Sequence, residues 1–246
     1  DIQLSVLSGC EYILKHPTNS PLKKYLSYDF KPKLHHTIED RIEILKLINA
    51  KEISKKLIYP LAFNESIENK IDKLLNSNKK IVGYQIGAAD VYKMWPIENF
   101  IDLGKKILDF DDKTIIVITG IEKEFELAEI IVNSLGKRVL NLCGTCNIEE
   151  LPYLLKRMNI LITNDTGTMH LAIAIDTPTI SLFSTTNSVL SGPYHDFDIH
   201  NVIQKDGLSV QTLPKKDRTN DNMKLISTKD VFKKYCEKYN SIMKRK

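Results

Sequence analysis

Two kinds of apolar pattern alternate along the chain between residues 79 and 183. Some segments repeat apolar residues at spacings of three and four, as in Phe100, Leu103 and Ile107, which is typical of a helix with one buried face. Between them stand five short apolar runs of strand type, at residues 81–86, 114–119, 139–142, 160–163 and 179–183. Strands that alternate with amphipathic helices predict an α/β fold with a Rossmann-like, doubly wound parallel sheet.

The residues before this region follow a different pattern. Residues 1–30 are rich in turn formers, and helical periodicity appears at residues 35–49 and 66–75. This part of the chain contains too few strand-like runs to build a sheet of its own. We therefore predict three units: residues 1–78 as the end of a larger N-terminal domain, residues 79–227 as the Rossmann-like domain, and residues 228–246 as a closing helix.

Composition narrows the class of protein. Of the 246 residues, 42% are hydrophobic and 27% are charged, which is typical of a soluble globular protein. No apolar run approaches the roughly 18 residues that a membrane span needs, and no signal peptide heads the chain. The four cysteines are too scattered for a disulfide framework, so we expect a cytoplasmic protein. A net charge of +4 does not indicate a nucleic-acid partner.

The C-terminal segment is strongly basic. Between residues 224 and 246, only Asp230 and Glu237 offset the basic side chains Lys224, Lys229, Lys233, Lys234, Lys238, Lys244, Arg245 and Lys246. A closing helix with a solvated lysine face is the favoured interpretation. The alternative is a surface that lies on anionic lipid headgroups, at the cytoplasmic face of the inner membrane.

Residues 160–171 combine a strand, a tight turn and a helix start. The strand stops at Asn164 and Asp165, Gly167 follows, and an apolar, alanine-rich helix begins. The carboxyl end of a parallel strand and the N–H groups of the next helix favour an anionic ligand. Gly167 would let that ligand approach the backbone, and His170 would face the same cleft. The alternative is structural: Asp165 or Thr166 as a helix N-cap and His170 as a satisfied histidine.

A carboxylate repels a phosphate at the same helix end. We therefore expect Asp165 to order the turn or to hold a sugar hydroxyl.

Two further loops follow predicted strands. Gly87 and then Lys93 stand after the first strand, and Lys93 is well placed to neutralise a diphosphate leaving group unless it is an ordinary surface lysine. After the second strand, Glu122 follows Gly120 by two residues. A carboxylate at such a strand end accepts both hydroxyls of a ribose in nucleotide-binding sheets. A first-turn glutamate that complements the helix dipole is at least as good an interpretation.

No metal site is predicted. Cys143 and Cys146 have the C-x-x-C spacing, but a zinc site would need a second pair, and a redox motif normally opens a helix in a thioredoxin-like unit. We interpret this pair as a coincidence of loop sequence. The adjacent histidines His35 and His36 have no cysteine or carboxylate at ligand spacing.

Lys93-Met-Trp-Pro96 and Asp165-Thr-Gly-Thr-Met-His-Leu171, followed by Thr177-Pro178 before a strand, together resemble glycosyltransferase family 9, the ADP-heptose:lipopolysaccharide heptosyltransferases. The resemblance implies a GT-B architecture of two Rossmann-like domains, with the donor bound mainly by the C-terminal one. It implies inverting, metal-independent transfer without a cofactor, from an ADP-sugar to the lipopolysaccharide core or a related glycan. The residues that the resemblance assigns to the donor are Lys93, Glu122, Asp165, Gly167, Thr168, Met169 and His170. Gly87 joins these donor-site candidates because it follows the first predicted strand.

The chain also departs from the family pattern. Ala88 and Ala89 stand where members often carry a hydroxyl or a bulkier residue, and residues 183–186 read F-S-T-T instead of F-G-P-T. The family's N-terminal strand and Gly-Asp loop have no counterpart here, so the resemblance implies a catalytic base upstream of this chain. Two alternatives remain open: a non-catalytic remnant that binds a nucleotide sugar, and an epimerase of the same fold.

Overall fold

The computed structural model describes residues 21–27, 36–51, 54–76, 79–184, 186–205, 214 and 217–244. Its centre is a six-stranded, all-parallel sheet in the order β3-β2-β1-β4-β5-β6. The strands are β1 (Lys80–Gln85), β2 (Thr114–Thr119), β3 (Val139–Asn141), β4 (Ile160–Asn164), β5 (Thr179–Phe183) and β6 (His200–Gln204). This topology confirms the predicted α/β fold with a doubly wound parallel sheet.

Eight α-helices stand in the described part of the chain. They are α1 (Thr37–Lys46), α2 (Glu65–Leu75), α3 (Ile97–Phe110), α4 (Phe125–Leu135), α5 (Leu151–Lys156), α6 (Gly167–Ala174), α7 (Ser188–Ser191) and α8 (Thr228–Lys244). Short 3₁₀ turns stand at Pro21–Tyr25, Val91–Lys93, Glu122–Glu124 and Asp221–Leu225.

Helices cover both faces of the sheet, which is why the central strands are continuously apolar. On one face, β1, β2, β4 and β5 bury Tyr84, Ile118, Ile162 and Leu182 against α3, α4 and α8. On the other face, α2, α5 and α6 pack over residues such as Val117 and Leu161. The sheet edge formed by the carboxyl ends of the strands is thereby left to the connecting loops.

Helix α2 packs into the second of these cores. Its residues Ile71 and Leu75 are buried there with Leu154 and Leu155 of α5. The predicted helix at residues 66–75 is thus confirmed, and it packs directly against the sheet domain. The domain limits at residues 78 and 227 stay predictions.

Helix α1 covers less of the chain than the predicted 35–49, because Leu47 caps its end after Lys46. Before it, His36 Nδ1 accepts the Ile38 N–H, and the other ring nitrogen lies 2.9 Å from the Gly192 carbonyl. Both ring nitrogens therefore serve structural contacts, while His35 lies outside the described residues.

Helix α8 buries its apolar face in the core. Val231 and Tyr235 are fully buried against the first cluster, and the Lys238 ammonium donates to the carbonyls of Asp198 and Ile199. Lys234 pairs with Glu237 at 2.6 Å. One face of α8 thus closes the core, while Lys238 departs from the expected solvated lysine face because its side chain is buried. No helix among the described residues combines the length and apolar character needed to cross a bilayer.

Candidate functional site

A pocket of about 670 Å³ opens at the carboxyl ends of β1, β2, β3 and β4. It lies beside the β1–β4 boundary, where the strand order of the sheet reverses, and this is the usual ligand position in an open α/β sheet. The loops after the four strands line it with Ala88, Ala89, Lys93, Gly120, Ile121, Lys123, Glu124, Cys146, Asn147, Ile148, Asp165, Thr166, Gly167, Thr168 and His170.

The start of α6 forms one wall of this pocket. Thr166 is the N-cap, and its hydroxyl accepts the Met169 N–H at 3.4 Å. An added Cβ at Gly167 would meet no atom within 4 Å, so packing does not require glycine there. Gly167 instead leaves the first turn of the helix open, where backbone N–H groups lack intrahelical acceptors. This geometry suits an anion.

Lys93 and Asp165 form an ion pair inside the pocket. The Lys93 ammonium lies 2.7 Å from Asp165 Oδ2, and the two side chains are 20% and 9% exposed. Lys93 is therefore not an ordinary surface lysine. Asp165 is not the helix cap either, and its Oδ2 also accepts the hydroxyl of Thr186 at 2.8 Å. The expectation that Asp165 mainly orders the turn or holds a sugar hydroxyl thus missed its bond to Lys93.

The two residues at the end of the motif face opposite ways. Met169 is fully buried with Ile173 and Phe183, so only its backbone lies near the helix start. His170 lines the pocket and is half-buried. Burial lowers the pKa of His170, and the nearby Asp165 carboxylate opposes that shift. The imidazole therefore faces the pocket uncharged at neutral pH.

Of the two glutamates that follow β2, Glu124 lies on the pocket wall and Glu122 does not. Glu122 is exposed and stands against Gly144, whereas Glu124 is 6% exposed and lines the pocket. Burial raises the pKa of Glu124, although the N–H of Ile121, 3.0 Å away, stabilises the carboxylate. Glu122, the predicted ribose contact, does not line the pocket. The 3₁₀ turn Glu122–Glu124 directs the side chain of Glu124 inward instead.

Gly87, just after the neighbouring strand β1, leaves space for the Glu124 carboxylate. A Cβ added to Gly87 would stand 1.7 Å from Glu124 Oε1, and one added to Gly120 would stand 2.1 Å from Oε2. A side chain at either strand end would therefore force the Glu124 carboxylate to move. Gly87 itself is not part of the pocket lining. Its position therefore serves Glu124 rather than direct contact with a ligand.

Cys143 and Cys146 are free thiols. Burial raises the pKa of Cys143 to about 12 and also raises the pKa of Cys146. Both thiols therefore disfavour the thiolate that redox chemistry needs. Within the described ranges, no three histidine, cysteine or carboxylate side chains come together to hold a metal ion.

A family model and two related proteins match this chain. The model of glycosyltransferase family 9 (heptosyltransferase) matches residues 22–224. Lipopolysaccharide heptosyltransferase 1 of Campylobacter coli is 30% identical over 140 residues, which are 52% of this chain and 41% of that protein. Lipopolysaccharide heptosyltransferase 2 of Salmonella typhimurium is 26% identical over 152 residues, 58% of this chain and 43% of that protein. The matches span less than half the length of these two relatives.

Solved structures of the family share the fold. A family 9 glycosyl transferase from Veillonella parvula superimposes with a TM-score of 0.72 and 17% identity, over 100% of this chain and 78% of that one. The ADP-heptose lps heptosyltransferase II of E. coli gives a TM-score of 0.64 and 17% identity, over 99% and 73%. The GT-B fold class that the motifs implied is thereby confirmed. Since the family model spans most of its length, the chain belongs to glycosyltransferase family 9.

Proposed function

We propose that this chain supplies the donor site of a glycosyltransferase that moves a heptose or related sugar from an ADP-sugar to the lipopolysaccharide core or a related surface glycan. The observation that carries the proposal is the Lys93 ammonium, which lies on the pocket wall with the open first turn of α6. A lysine and a helix N-terminus are two independent sources of positive potential for a diphosphate.

The proposed role of this positive potential is to stabilise the leaving group. Negative charge builds up on ADP as the bond to the anomeric carbon breaks, and donors fixed in advance at that place stabilise it most. Lys93 and the N–H groups of Gly167 and Thr168 would supply the charge that a divalent cation supplies in metal-dependent enzymes. We therefore expect donor binding to be independent of metal, and we expect inversion at the anomeric carbon, as the family resemblance implies.

The rest of the pocket suits a nucleoside. Glu124 presents a buried carboxylate at the end of β2, where it would accept ribose hydroxyls. The side chains of Ile121 and Ile148 are 57% and 76% exposed and both line the pocket. Burial of these exposed apolar side chains against the flat faces of a base would favour binding. The pocket would thus hold base, ribose and diphosphate in order from β3 to β4.

The acceptor and the place of action stay predictions. The lipopolysaccharide acceptor rests on the names of the relatives, and the cytoplasmic location with peripheral contact to an anionic membrane rests on the sequence. A second candidate function is donor binding without transfer. It is favoured because the family resemblance implies a catalytic base upstream of this chain and not in the described pocket.

Calorimetry tests the donor site. We expect ADP and ADP-heptose to bind with the same affinity in the presence and absence of EDTA, and more tightly than adenosine. Loss of ADP binding in EDTA would contradict the metal-independent site, and equal binding of ADP and adenosine would contradict the diphosphate site. Release of ADP from ADP-heptose on addition of core lipid would distinguish transfer from binding alone.

A further inference from the structure

The hydroxyl of Thr186 contacts the same carboxylate oxygen that holds Lys93. Thr186 Oγ1 lies 2.8 Å from Asp165 Oδ2, and the Lys93 ammonium lies 2.7 Å from that atom. We propose that Thr186 is a positioning residue for the diphosphate site: its hydroxyl holds the Asp165 carboxylate, which in turn holds the Lys93 ammonium at the start of α6. This inference rests on the proposed function of the pocket.

The second donor affects both the charge and the orientation of the carboxylate. Asp165 is 9% exposed and would repel a diphosphate at the same helix end. Two donors on Oδ2 draw its charge away from the ligand and fix its orientation. The Thr186 hydroxyl donates to Asp165 and therefore occupies none of the N–H groups of Lys93. A lysine ammonium carries three such donors. Lys93 can therefore bind Asp165 with one N–H and direct others to the diphosphate.

The loop that carries Thr186 is held in place by other contacts. The Gln204 amide, at the end of β6, donates to the carbonyls of Ser184 and Thr186, both at 3.2 Å. Its oxygen accepts the N–H of Ser188 at 3.0 Å. Gln204 thus holds the loop backbone through contacts that do not involve the Thr186 hydroxyl. Replacement of that hydroxyl by a methyl group should leave the backbone in place and test the hydroxyl alone.

The experiment compares Thr186→Val, which loses the hydroxyl, with Thr186→Ser, which keeps it. Calorimetry should show ADP binding weakened about tenfold in Thr186→Val, a loss of the size of one hydrogen bond to a charged group. Adenosine, which has no diphosphate, should bind all three proteins equally. Thr186→Ser should bind ADP within about twofold of the wild type. A structural role for Thr186 would instead weaken ADP and adenosine together.

Thr228→Val is the matched control. The Thr228 hydroxyl also donates to an aspartate, Asp102, but this pair lies outside the pocket. The control should bind ADP like the wild type. Unchanged ADP affinity in Thr186→Val, or an equal loss for adenosine, would overturn the inference.

A second readout keeps the inference separate from the proposed function. The ¹³Cε signal of Lys93, assigned by its loss in Lys93→Met, reports the surroundings of the ammonium without any ligand. It should move in Thr186→Val and stay in Thr186→Ser. If the wild type bound no ADP, the proposed function would fail while this measurement still decided the inference. A signal that did not move in Thr186→Val would overturn it.

Discussion

The side chain of Asn164 binds the backbone of Trp95 and so joins the end of β4 to the loop after β1. Asn164 Oδ1 accepts the Trp95 N–H at 3.1 Å, and the amide nitrogen donates to the carbonyl of Ile86 at 2.8 Å. Asn164 is fully buried. Trp95 is anchored in turn, because its indole N–H donates to the carbonyl of Ile226. Together these bonds fix the segment that places Lys93 in the pocket.

Asn164→Asp should destabilise the protein although the two side chains have nearly the same shape. A carboxylate cannot donate to the Ile86 carbonyl and would leave a charge in a fully buried place. We expect the free energy of unfolding in urea to fall by about 3 kcal/mol. Asn201→Asp is the matched control, since the Asn201 amide also donates to a carbonyl, that of Phe197, but at the surface. Equal losses in both variants would contradict the role of Asn164.

Lys93→Met should weaken ADP binding by roughly 1.5–3 kcal/mol, because the charge-assisted bond to the diphosphate is lost. Calorimetry measures this loss. The matched control is Lys70→Met: Lys70 pairs with Glu150 at 2.8 Å but lies outside the pocket. An ADP affinity that fell equally in both variants, or in neither, would argue against a diphosphate contact by Lys93.

Lys93→Met should also lower the stability of the fold. The Asp165 carboxylate is mostly buried, and of its two donors described above only the Thr186 hydroxyl would remain. We expect a loss of about 1–3 kcal/mol in the free energy of unfolding. The double variant Lys93→Met/Asp165→Asn removes the charge as well. It should recover most of the stability but none of the ADP affinity, and recovery of both would contradict the assignment.

Glu124→Gln should weaken ADP binding and stabilise the fold. A neutral amide is a weaker acceptor for ribose hydroxyls, and we expect a loss of about 1–2 kcal/mol in binding. Burial raises the pKa of Glu124, so its folded-state contribution is most favourable at low pH and declines as pH rises through that pKa. Loss of the carboxylate should therefore raise the melting temperature at pH 7.

Glu122→Gln, on the exposed side of the turn, is the control and should change neither the ADP affinity nor the melting temperature. An effect there alone would restore Glu122 as the ribose contact.

Tyr239→Phe should remove part of the stability that depends on an ionised Asp111. Burial alone would raise the pKa of Asp111, but donors from Tyr239, the Lys113 N–H and Lys80 outweigh it and hold the pKa well below its usual range. Stability from this carboxylate is thus present above its unfolded pKa, near 3.8, and is lost as pH falls below that value. Urea unfolding should show a difference of about 1–2 kcal/mol between variant and wild type at pH 7. The difference should shrink only as pH falls through the depressed folded-state pKa of Asp111, and a difference independent of pH would contradict the carboxylate's role.

The sequence predicted five of the six strands because each coincides with a short apolar run in the sequence. It did not predict β6, since His200–Gln204 is largely polar and only partly buried. The orientation of α6 was predicted only in part: His170 was expected to face the cleft and lines the pocket, whereas the burial of the Met169 side chain was not predicted. Met169 points into the core and His170 into the pocket, yet apolar residues surround this helix, so periodicity indicates no preferred face.

The loops that form the pocket were predictable, but several contacts within them were not. Parallel strands end at one edge of the sheet, so Lys93 and Asp165 were expected there although 72 positions separate them. The direction of the Asp165 side chain depends on Thr186, from another loop, and no sequence pattern records that contact. Glu122 and Glu124 both follow Gly120 closely, and only the geometry of the 3₁₀ turn decides which one faces inward.

Two-dimensional NMR with ADP tests most directly whether the pocket at the β1–β4 boundary is a diphosphate site. On titration with ADP, the backbone amide signals of Gly167 and Thr168 and the side-chain signals of Lys93 should shift together, and the same titration with adenosine should leave the Lys93 signals in place. ADP-induced shifts confined to residues outside this pocket, or no shifts at all, would contradict the account.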